Sequence, residues 1–238
     1  MRLDKLLSEL GIASRKELKE IIRSGRVSVD GLVCRRPEEK LDPERQAVTF
    51  DGQALRYRRF RYFMMDKPSG VLTATEDRSQ KTVLDILPEE LRRLGLFPVG
   101  RLDKDTSGLL LLTDDGEFAH RVISPKFSVE KRYYASIEGE VDEADVEAFA
   151  AGLTLGDGTL CRPARLESLG PGRCVVTVTE GKYHQVKRML ASRGKPVVHL
   201  RRLSIGQLVL DELLGAGGVR ELDEEDLCKL FRTGFEEN

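Results

Sequence analysis

The N-terminal part of the chain shows two helical patterns followed by the pattern of a hairpin. Leucines recur at helical spacing along the first segment, at Leu3, Leu6, Leu7 and Leu10. Gly11 is placed to end that helix. Ser14, with Glu17 three residues later, has the spacing of a capping box that begins a second helix, which Gly25 ends. Valines and leucines on both sides of an Asp-Gly pair then predict a β-hairpin at residues 27–33.

The rest of the chain mixes strand and helix patterns, and a basic segment at residues 56–61 is predicted to link the two parts. Four consecutive leucines at residues 109–112 predict a buried strand. Further strands are predicted at residues 61–66, 132–137, 174–179 and 197–203, and helices at residues 82–94, 143–151, 184–192 and 224–231. Because strands outnumber helices without alternating with them, we expect an α+β fold with a mixed, mainly antiparallel sheet.

Length and composition indicate an ordinary globular chain. Its 238 residues leave room for a small domain and a larger one. The longest purely aliphatic run is far shorter than a membrane span, and the first residues lack the pattern of a signal peptide. The four cysteines form no C-x-x-C pair and only three histidines are present, so a zinc cluster is not expected. We therefore expect a cytoplasmic protein with reduced thiols, no membrane partner and no metal.

Charge is distributed unevenly, although the formal net charge is only −1. Residues 1–61 carry 15 Lys and Arg against 10 Asp and Glu, whereas residues 221–238 are strongly acidic. Cations on and after the second predicted helix recur at spacings that could form one exposed stripe, consisting of Arg15, Lys16, Lys19, Arg23 and Arg26. Such a stripe either binds nucleic acid or is a solvated helix face.

The densest group of polar side chains lies immediately before the leucine run. Residues 100–108 read G-R-L-D-K-D-T-S-G, and polar groups beside buried structure often mark chemical sites. One interpretation is a calcium loop, but its twelfth position is Asp114 instead of Glu and its flanks predict strand instead of helix. Another is a magnesium-dependent phosphotransferase using Asp103 and Asp105, for which no separate acidic motif stands out downstream. Neither interpretation is favoured.

Two parts of the chain resemble known families. Residues 1–58 resemble the S4 RNA-binding domain in the order of their R-L-D, S-R, glycine and D-G positions. The remainder resembles the pseudouridine synthases through four motifs in the order of that family: K-P-S-G at 67–70, G-R-L-D at 100–103, E-K-R-Y at 130–133 and E-G-K-Y-H-Q-V-K-R-M at 180–189. The RsuA branch is the most similar. The resemblance implies an S4 domain at 1–58 and a catalytic domain at 61–238.

The resemblance implies a reaction that breaks the glycosidic bond of a uridine, turns the uracil and rejoins it through carbon, without a cofactor. It assigns the catalytic carboxylate to Asp103 and the aromatic ring against the flipped uracil to Tyr133. It also pairs Asp103 with Lys187, because an anion beside a buried strand needs a nearby cation. Lys187 stands where distant branches have Arg, so a bidentate pair is not available.

RNA contacts are implied outside this catalytic trio. Arg101 would hold the RNA open once the uridine leaves the stack. Lys182 and His184, near the start of a helix, would contact phosphate, with a structural hydrogen bond as the alternative role for His184. Arg188 would contact phosphate or substitute for Lys187. In the S4 domain the RNA-binding residues would be Arg15, Lys16, Lys19 and Arg23.

The predicted function is site-specific isomerisation of uridine to pseudouridine in ribosomal RNA. The Y-H-Q-V-K-R-M run resembles the 16S enzyme of the branch, which implies a uridine 516-type site. Two alternatives stay open: a 23S enzyme of the same family, and a non-catalytic S4-type ribosome-assembly factor. The expected partner is ribosomal RNA, and the protein is expected to act as a monomer.

Overall fold

The computed structural model describes residues 1–43, 45–55, 57 and 59–231. Contacts divide the chain into two compact units, Met1–Arg59 and Phe60–Asn238. The predicted basic segment at 56–61 and the acidic segment at 221–238 each lie partly outside the described residues. No helix in the described part of the chain is long and apolar enough to cross a membrane.

The N-terminal unit packs two helices against a small antiparallel sheet. Its elements are α1 (Leu3–Glu9), α2 (Arg15–Arg23), β1 (Val27–Val29), β2 (Leu32–Val33), β3 (Val48–Phe50) and β4 (Gln53–Leu55). The sheet order is β2-β1-β3-β4. The predicted capping box is confirmed, since Ser14 and Glu17 exchange side-chain-to-backbone hydrogen bonds at the start of α2. The predicted hairpin is also confirmed as the β1–β2 pair.

The larger unit is built on one mixed sheet. Its strands are β5 (Tyr62–Lys67), β6 (Phe97–Pro98), β7 (Ser107–Thr113), β8 (Lys131–Ile137), β9 (Arg165–Ser168), β10 (Arg173–Val178), β11 (Val197–Ile205), β12 (Leu208–Val209) and β13 (Val219–Glu221). The order along the sheet is β13-β5-β7-β11-β8-β10-β9, with β6 paired to β7 and β12 to β11. The β7–β11 pair is parallel, and the other pairs in this sheet are antiparallel. The predicted α+β class with a mixed, mainly antiparallel sheet is therefore confirmed.

Five helices pack on this sheet or on its connections. They are α3 (Glu89–Arg92), α4 (Gly116–Ile123), α5 (Glu143–Ala151), α6 (Gln185–Ser192) and α7 (Glu224–Lys229), with short 3-10 turns at Pro125–Phe127 and Glu212–Leu214. Helices α5 and α6 contribute to one apolar cluster with β8, β9 and β10. Helices α4 and α7 contribute to a second cluster with β5 and β7. The helices predicted at 143–151, 184–192 and 224–231 correspond to α5, α6 and α7.

The leucine run forms the interior of β7 and is buried on both faces of the sheet. Leu109 and Leu111 belong to the cluster with α4 and α7. Leu110 and Leu112 point the other way, into a cluster with residues of the connection before β6. Successive side chains of a strand alternate between faces, so a continuous apolar run requires cover on both sides.

The prediction of one helix over residues 82–94 is wrong. Only Glu89–Arg92 is helical. At the start of the predicted span, the backbone N–H of Val83 donates to Leu72 O, and the Asp85 carboxylate accepts from the backbone N–H of Thr82. Pro88 then fixes the chain immediately before the short helix. The apolar side chains that suggested a helix are buried by a looped segment instead.

Candidate active site

The polar segment before the leucine run forms a loop that enters β7. Gly100 has φ +72°, a left-handed conformation that glycine adopts without strain, and turns the chain out of β6. Thr73 holds the backbone of Leu102 on both sides, since its hydroxyl donates to Leu102 O at 2.7 Å and accepts from Leu102 N at 3.2 Å. Gly70 N donates to Lys104 O at 2.7 Å. The loop that carries Asp103 is therefore hydrogen-bonded to the segment after β5.

The Asp103 carboxylate faces one nitrogen on each oxygen. Lys187 Nζ lies 3.3 Å from its Oδ2, and His184 Nε2 lies 3.4 Å from its Oδ1. Its side chain is 27% exposed, so it is open to a ligand on one side. Lys187 belongs to α6, and His184 is the residue immediately before that helix. The structure thus brings together two groups that lie more than eighty positions apart in the chain.

Lys187 is shared between two carboxylates. Its Nζ donates to Asp105 Oδ1 at 2.5 Å, which is shorter than its contact with Asp103. The hydrogen bond from Lys187 holds the pKa of Asp105 below its ordinary value, against the opposing effect of partial burial. Because the ammonium group has three protons, it can serve both carboxylates at once.

A second lysine, Lys67, contacts the backbone of the same loop. Lys67, at the end of β5, is fully buried, and its Nζ lies within hydrogen-bond distance of four backbone carbonyl oxygens. The acceptors belong to Pro68, Asp103, Lys104 and Thr106, at 2.9 to 3.2 Å. Burial lowers the pKa of Lys67 to about 8, although the Asp105 and Asp103 carboxylates favour its charged form. The buried cation therefore draws the backbone on both sides of Asp103 together.

A cleft lies beside the Asp103 carboxylate. Its lining includes Arg101, Leu102, Asp103, Thr106, Tyr133 and His184. Buried Val186 and Leu200 supply apolar lining beside these residues. The Asp103 carboxylate and the Tyr133 ring, beside apolar side chains, form a site suited to a flat heterocycle.

Tyr133 lines this cleft from β8, while the neighbouring Tyr134 is not among the lining residues that the structure describes. Arg202 approaches the Tyr133 hydroxyl at 3.5 Å through Nη1, and its Nε donates to Leu109 O at 2.7 Å. Arg202 is buried, and its Nη2 has no hydrogen-bond partner among the described residues. The buried Arg202 side chain therefore contacts the Tyr133 hydroxyl from β11, the strand between β7 and β8.

The turn before α6 is held by a buried polar pair. Gln185 Nε2 donates to Glu180 Oε1 at 2.7 Å, and Lys182 N donates to Gln185 Oε1 at 3.0 Å. Both Glu180 and Gln185 are buried. His184 has φ +48°, a left-handed conformation that non-glycine residues adopt at a cost. The rigid turn therefore fixes the direction in which the His184 ring points.

The other residues predicted to bind RNA differ in their surroundings. Arg101 is exposed at the cleft and makes no ion pair with any described residue. Arg188 pairs with Asp157 at 2.6 Å. Lys182 pairs with Glu180 at 3.0 Å and also donates to Leu160 O, so part of its donor capacity is used within the protein.

The N-terminal unit carries its own cationic groove. Its lining residues are Arg2, Asp4, Lys5, Arg15, Lys16 and Lys19. Arg23 is exposed on the same helix but is not part of that lining. Arg26 is paired with Asp51. Three of the four cations predicted to bind RNA in this unit therefore share one groove.

The two metal-dependent interpretations of the acidic segment are not supported by its geometry. Lys187 occupies the position between Asp103 and Asp105 that a cation would need. Within the described ranges, no group of three His, Cys, Asp or Glu side chains could hold a metal ion. The segment leads into strand β7 and follows β6, whereas a calcium loop of this type lies between two helices.

Comparison with known proteins identifies the family of each part of the chain. The sequence profile of the family described as RNA pseudouridylate synthase matches residues 61–192, which include Asp103, Tyr133 and Lys187. The S4 domain profile matches residues 1–46. The chain belongs to the RNA pseudouridine synthases. The enzyme class predicted from the four ordered motifs is therefore confirmed, and so is the S4 domain.

Relatives of this pseudouridine synthase are similar over nearly their whole length. An "Uncharacterized RNA pseudouridine synthase YtzG" of Bacillus subtilis is 47% identical, covering 95% of this chain and 97% of the relative. The "Ribosomal small subunit pseudouridine synthase A" of Escherichia coli K12 is 42% identical, covering 97% and 100%. A solved structure described as "Crystal structure of pseudouridylate synthase" superposes with a TM-score of 0.68 at 37% identity, covering 97% and 99%. The predicted RsuA branch is confirmed.

Three residues at the site of this pseudouridine synthase were missing from the sequence prediction. Lys67 lies in a motif that was recognised, but nothing in the sequence shows that its side chain turns back under the Asp103 loop. Arg202 is one of two adjacent arginines in β11, and its burial follows from strand pairing. Tyr183 lies within the last motif, and its exposure next to the cleft becomes visible only in the folded chain.

Proposed function

We propose that this pseudouridine synthase isomerises one uridine of 16S ribosomal RNA, at a uridine 516-type site, as a cytoplasmic monomer. The observation that carries the proposal is the Asp103 carboxylate, which faces Lys187 and His184 on the wall of a cleft that Tyr133 also lines. The ribosomal substrate is supported by full-length similarity to enzymes named ribosomal small subunit pseudouridine synthase A, at 42% identity. The Tyr183-His184-Gln185 segment supports the 16S site.

In this proposal the target uridine leaves the RNA stack and its base enters the cleft. Extruding a base costs a few kcal/mol, which contacts in the pocket and at the vacated position offset. Arg101, exposed at the cleft without an ion-pair partner among described residues, is suited to the vacated position. A guanidinium group can stack on the neighbouring bases and reach phosphate at once.

Asp103 is the proposed catalytic residue. Its carboxylate acts on the nucleoside as the bond between N1 and C1′ breaks, either by bonding to it or by stabilising positive charge that develops on the sugar. The uracil turns, C5 bonds to C1′, the proton on C5 leaves to a base, and N1 takes up a proton. Uridine and pseudouridine are isomers, so no electrons or groups are gained or lost. Lys187 and His184 orient the carboxylate, and the Lys187 ammonium group offsets its negative charge.

Tyr133 is the proposed aromatic wall against which the uracil ring packs. Its place on a central strand of the sheet, with Arg202 3.5 Å from its hydroxyl, gives the ring a fixed position. Aromatic stacking tolerates rotation of the base in its own plane, which is one way to bring C5 to C1′. Lys182 and Arg188 are proposed to contact RNA phosphate at the rim of the cleft, and His184 to face both the RNA and Asp103.

Release of tritium tests the reaction itself. The intact protein is incubated with a 16S ribosomal RNA transcript that carries 5-tritiated uridine, and with a 23S transcript in parallel. We expect release from the 16S transcript, approaching one tritium per RNA molecule. The variant Asp103→Asn should release none while binding the transcript with unchanged affinity. If the wild-type protein binds the transcripts without releasing tritium from either, it is an RNA-binding factor and the proposed reaction is wrong.

Mapping of modified positions tests the choice of site. Ribosomal RNA from cells with and without this protein is compared for pseudouridine at each uridine. Loss of a single pseudouridine in 16S RNA, restored by the wild-type protein and not by Asp103→Asn, is the expected result. Loss of a position in 23S RNA instead would assign this enzyme to the other substrate of its family.

A further inference from the structure

Among the described residues, the most exposed aromatic side chain lies beside the cleft and has no role in the reaction described above. Tyr183 is 75% exposed, although it lies between Lys182 and His184, two residues of the cleft lining. Aromatic rings bury a large apolar area in folded proteins, so a ring held out in solvent next to a reactive carboxylate requires an explanation.

One face of the Tyr183 ring is already covered. Its centroid lies 3.9 Å from that of the His184 imidazole, with 18° between the two planes. Since the side chain is nevertheless 75% exposed, the opposite face of the phenol ring is open to solvent. The open face of Tyr183 is therefore a flat aromatic surface similar in size to a pyrimidine base. It lies next to His184, which contacts the Asp103 carboxylate.

The surface is held rigidly. Arg188 Nη1 donates to the backbone oxygen of Tyr183 at 3.3 Å, and Arg188 is itself anchored by Asp157. The left-handed backbone of His184 and the buried Glu180–Gln185 pair fix the turn on the other side. A ring that is already ordered loses little conformational freedom when a ligand stacks on it, so its binding energy is not consumed by ordering.

We propose that the open face of Tyr183 stacks an unpaired RNA base that neighbours the target uridine. Extrusion of the uridine leaves adjacent bases unstacked, and an aromatic platform next to the cleft can receive one of them. The cations Arg101, Lys182 and Arg188 lie around the same opening, which favours a polyanionic ligand over an apolar peptide. This inference rests on the proposed function, since it assigns the platform to the RNA that enters the Asp103 cleft.

The decisive comparison is between Tyr183→Ala and Tyr183→Phe in the full-length protein. Base stacking on one aromatic ring accounts for about 5- to 150-fold in affinity by alanine substitution. We expect Tyr183→Ala to raise Kd and KM for a 16S ribosomal RNA transcript by that factor, with the single-turnover rate at saturating RNA unchanged. Tyr183→Phe retains the ring and should restore wild-type affinity. Leu160→Ala, which trims another exposed apolar side chain close to Lys182, should leave Kd unchanged.

A fluorescent base gives an independent readout of stacking. A short RNA hairpin containing the modified uridine carries 2-aminopurine on one side of it or the other, and stacking on an aromatic ring quenches this base. We expect wild-type protein and Tyr183→Phe to quench one of the two hairpins, and Tyr183→Ala to leave it bright. Because Tyr183 is exposed, thermal melting of the three proteins should coincide.

The outcomes separate this inference from the proposed reaction. If the wild-type protein releases no tritium, the proposed reaction is wrong, and the affinities of the Tyr183 variants for the transcript still decide whether the ring binds RNA. If Tyr183→Ala binds as tightly as the wild type, the platform is wrong whatever the turnover. Equal loss of affinity in Tyr183→Ala and Tyr183→Phe would assign the effect to the hydroxyl group, and would also overturn stacking.

Discussion

At the scale of single residues, the site depends on one lysine that serves two carboxylates. Lys187 lies 2.5 Å from Asp105 and 3.3 Å from Asp103, and its side chain is 21% exposed. Asp105 is the more exposed of the two carboxylates and binds the ammonium group more closely. Asp105 therefore helps to place Lys187 while the Asp103 oxygen stays open to the cleft.

Removal of this lysine should affect turnover far more than binding. In Lys187→Ala, Asp103 and Asp105 face each other without a shared cation, and the single-turnover rate of tritium release should fall by about 100-fold or more. Affinity for the transcript, measured by filter binding, should change by less than about threefold. Lys187→Arg keeps the charge and should retain part of the rate. A near-normal single-turnover rate in Lys187→Ala would show that the pair is not needed.

Lys67 is expected to act through the backbone of the Asp103 loop. Lys67→Met removes the donor to four carbonyls, and unpaired buried polar groups cost about 1–3 kcal/mol each before relaxation. We expect a loss of about 3 kcal/mol in the free energy of unfolding, measured in urea, together with loss of tritium release. Lys104→Met is the matched control, because Lys104 lies in the same loop with its side chain exposed on Gln80. It should change stability by less than about 0.5 kcal/mol. Equal stability of the two variants would contradict this role for Lys67.

At the scale of elements, the start of α5 makes stability depend on pH. Asp145 is buried and caps the helix with Asp142. Burial disfavours its charged form, but Lys195 at 2.5 Å, the backbone of Asp142 and Arg193 at 2.9 Å outweigh that effect and lower its pKa to about 2. The unfolded chain therefore binds more protons than the folded one between about pH 4 and pH 2, so this stabilisation is present above pH 4 and is lost as the pH falls.

Asp145→Asn tests this dependence. The variant should lose about 2 kcal/mol of unfolding free energy near pH 6, because the pair with Lys195 and Arg193 is broken. The difference in unfolding free energy between the variant and the wild type should become smaller when urea denaturation is repeated at successively lower pH, starting at about pH 4. Glu147→Gln, on the exposed side of the same helix, is the control and should change little. A constant difference over the whole range would show that ionisation of Asp145 is not the cause.

Most elements with a strong local signal could be predicted from the sequence. The capping box of Ser14 and Glu17 and the D-G turn of the hairpin determine their own geometry, so α1, α2, β1 and β2 were predicted close to their bounds. The helix predicted at 82–94 failed because its apolar spacing reflects burial by a loop, and Pro88 was the signal against it. Helix α4 was missed, although Asp115 caps its N-terminus. The helix has only eight residues, and the preceding leucine run dominates the hydrophobic pattern of this segment.

The candidate site was predictable only in part, because its geometry depends on distant pairing. The motifs identified Asp103 and Lys187, and the structure places them 3.3 Å apart. The contact of His184 with Asp103 was not anticipated, since it requires the left-handed backbone at the start of α6. The support from Lys67 and Arg202 depends on how β5, β7 and β11 pair, and hydrophobic periodicity does not carry that information.

At the scale of the whole molecule, net positive charge is concentrated in the N-terminal unit. Lys16 and Lys19 line its cationic groove and carry no ion pair to a described residue. If both contact phosphate, the double variant Lys16→Gln, Lys19→Gln should reduce the slope of log Kd against log salt by about 1.4 to 1.8. The single-turnover rate at saturating RNA should not change. Lys40→Gln, exposed in the same unit and outside the groove lining, is the control. An unchanged slope in the double variant would show that this groove does not bind the RNA backbone.

The parallel contact between β7 and β11 has a consequence for the enzyme as a whole. Arg202 pairs with Gly108 there, and a Cβ at position 108 would come 2.3 Å from the Arg202 carbonyl oxygen. The loop that carries Asp103 leads into β7. Tyr133 on β8 and Lys187 on α6 lie on the β11 side of this contact. One apolar cluster lies on the β11 side of this contact, and another spans it through Leu109 and Leu111 of β7 and Ile205 of β11. A methyl group at 108 would therefore force β7 and β11 apart and separate Asp103 from Tyr133 and Lys187.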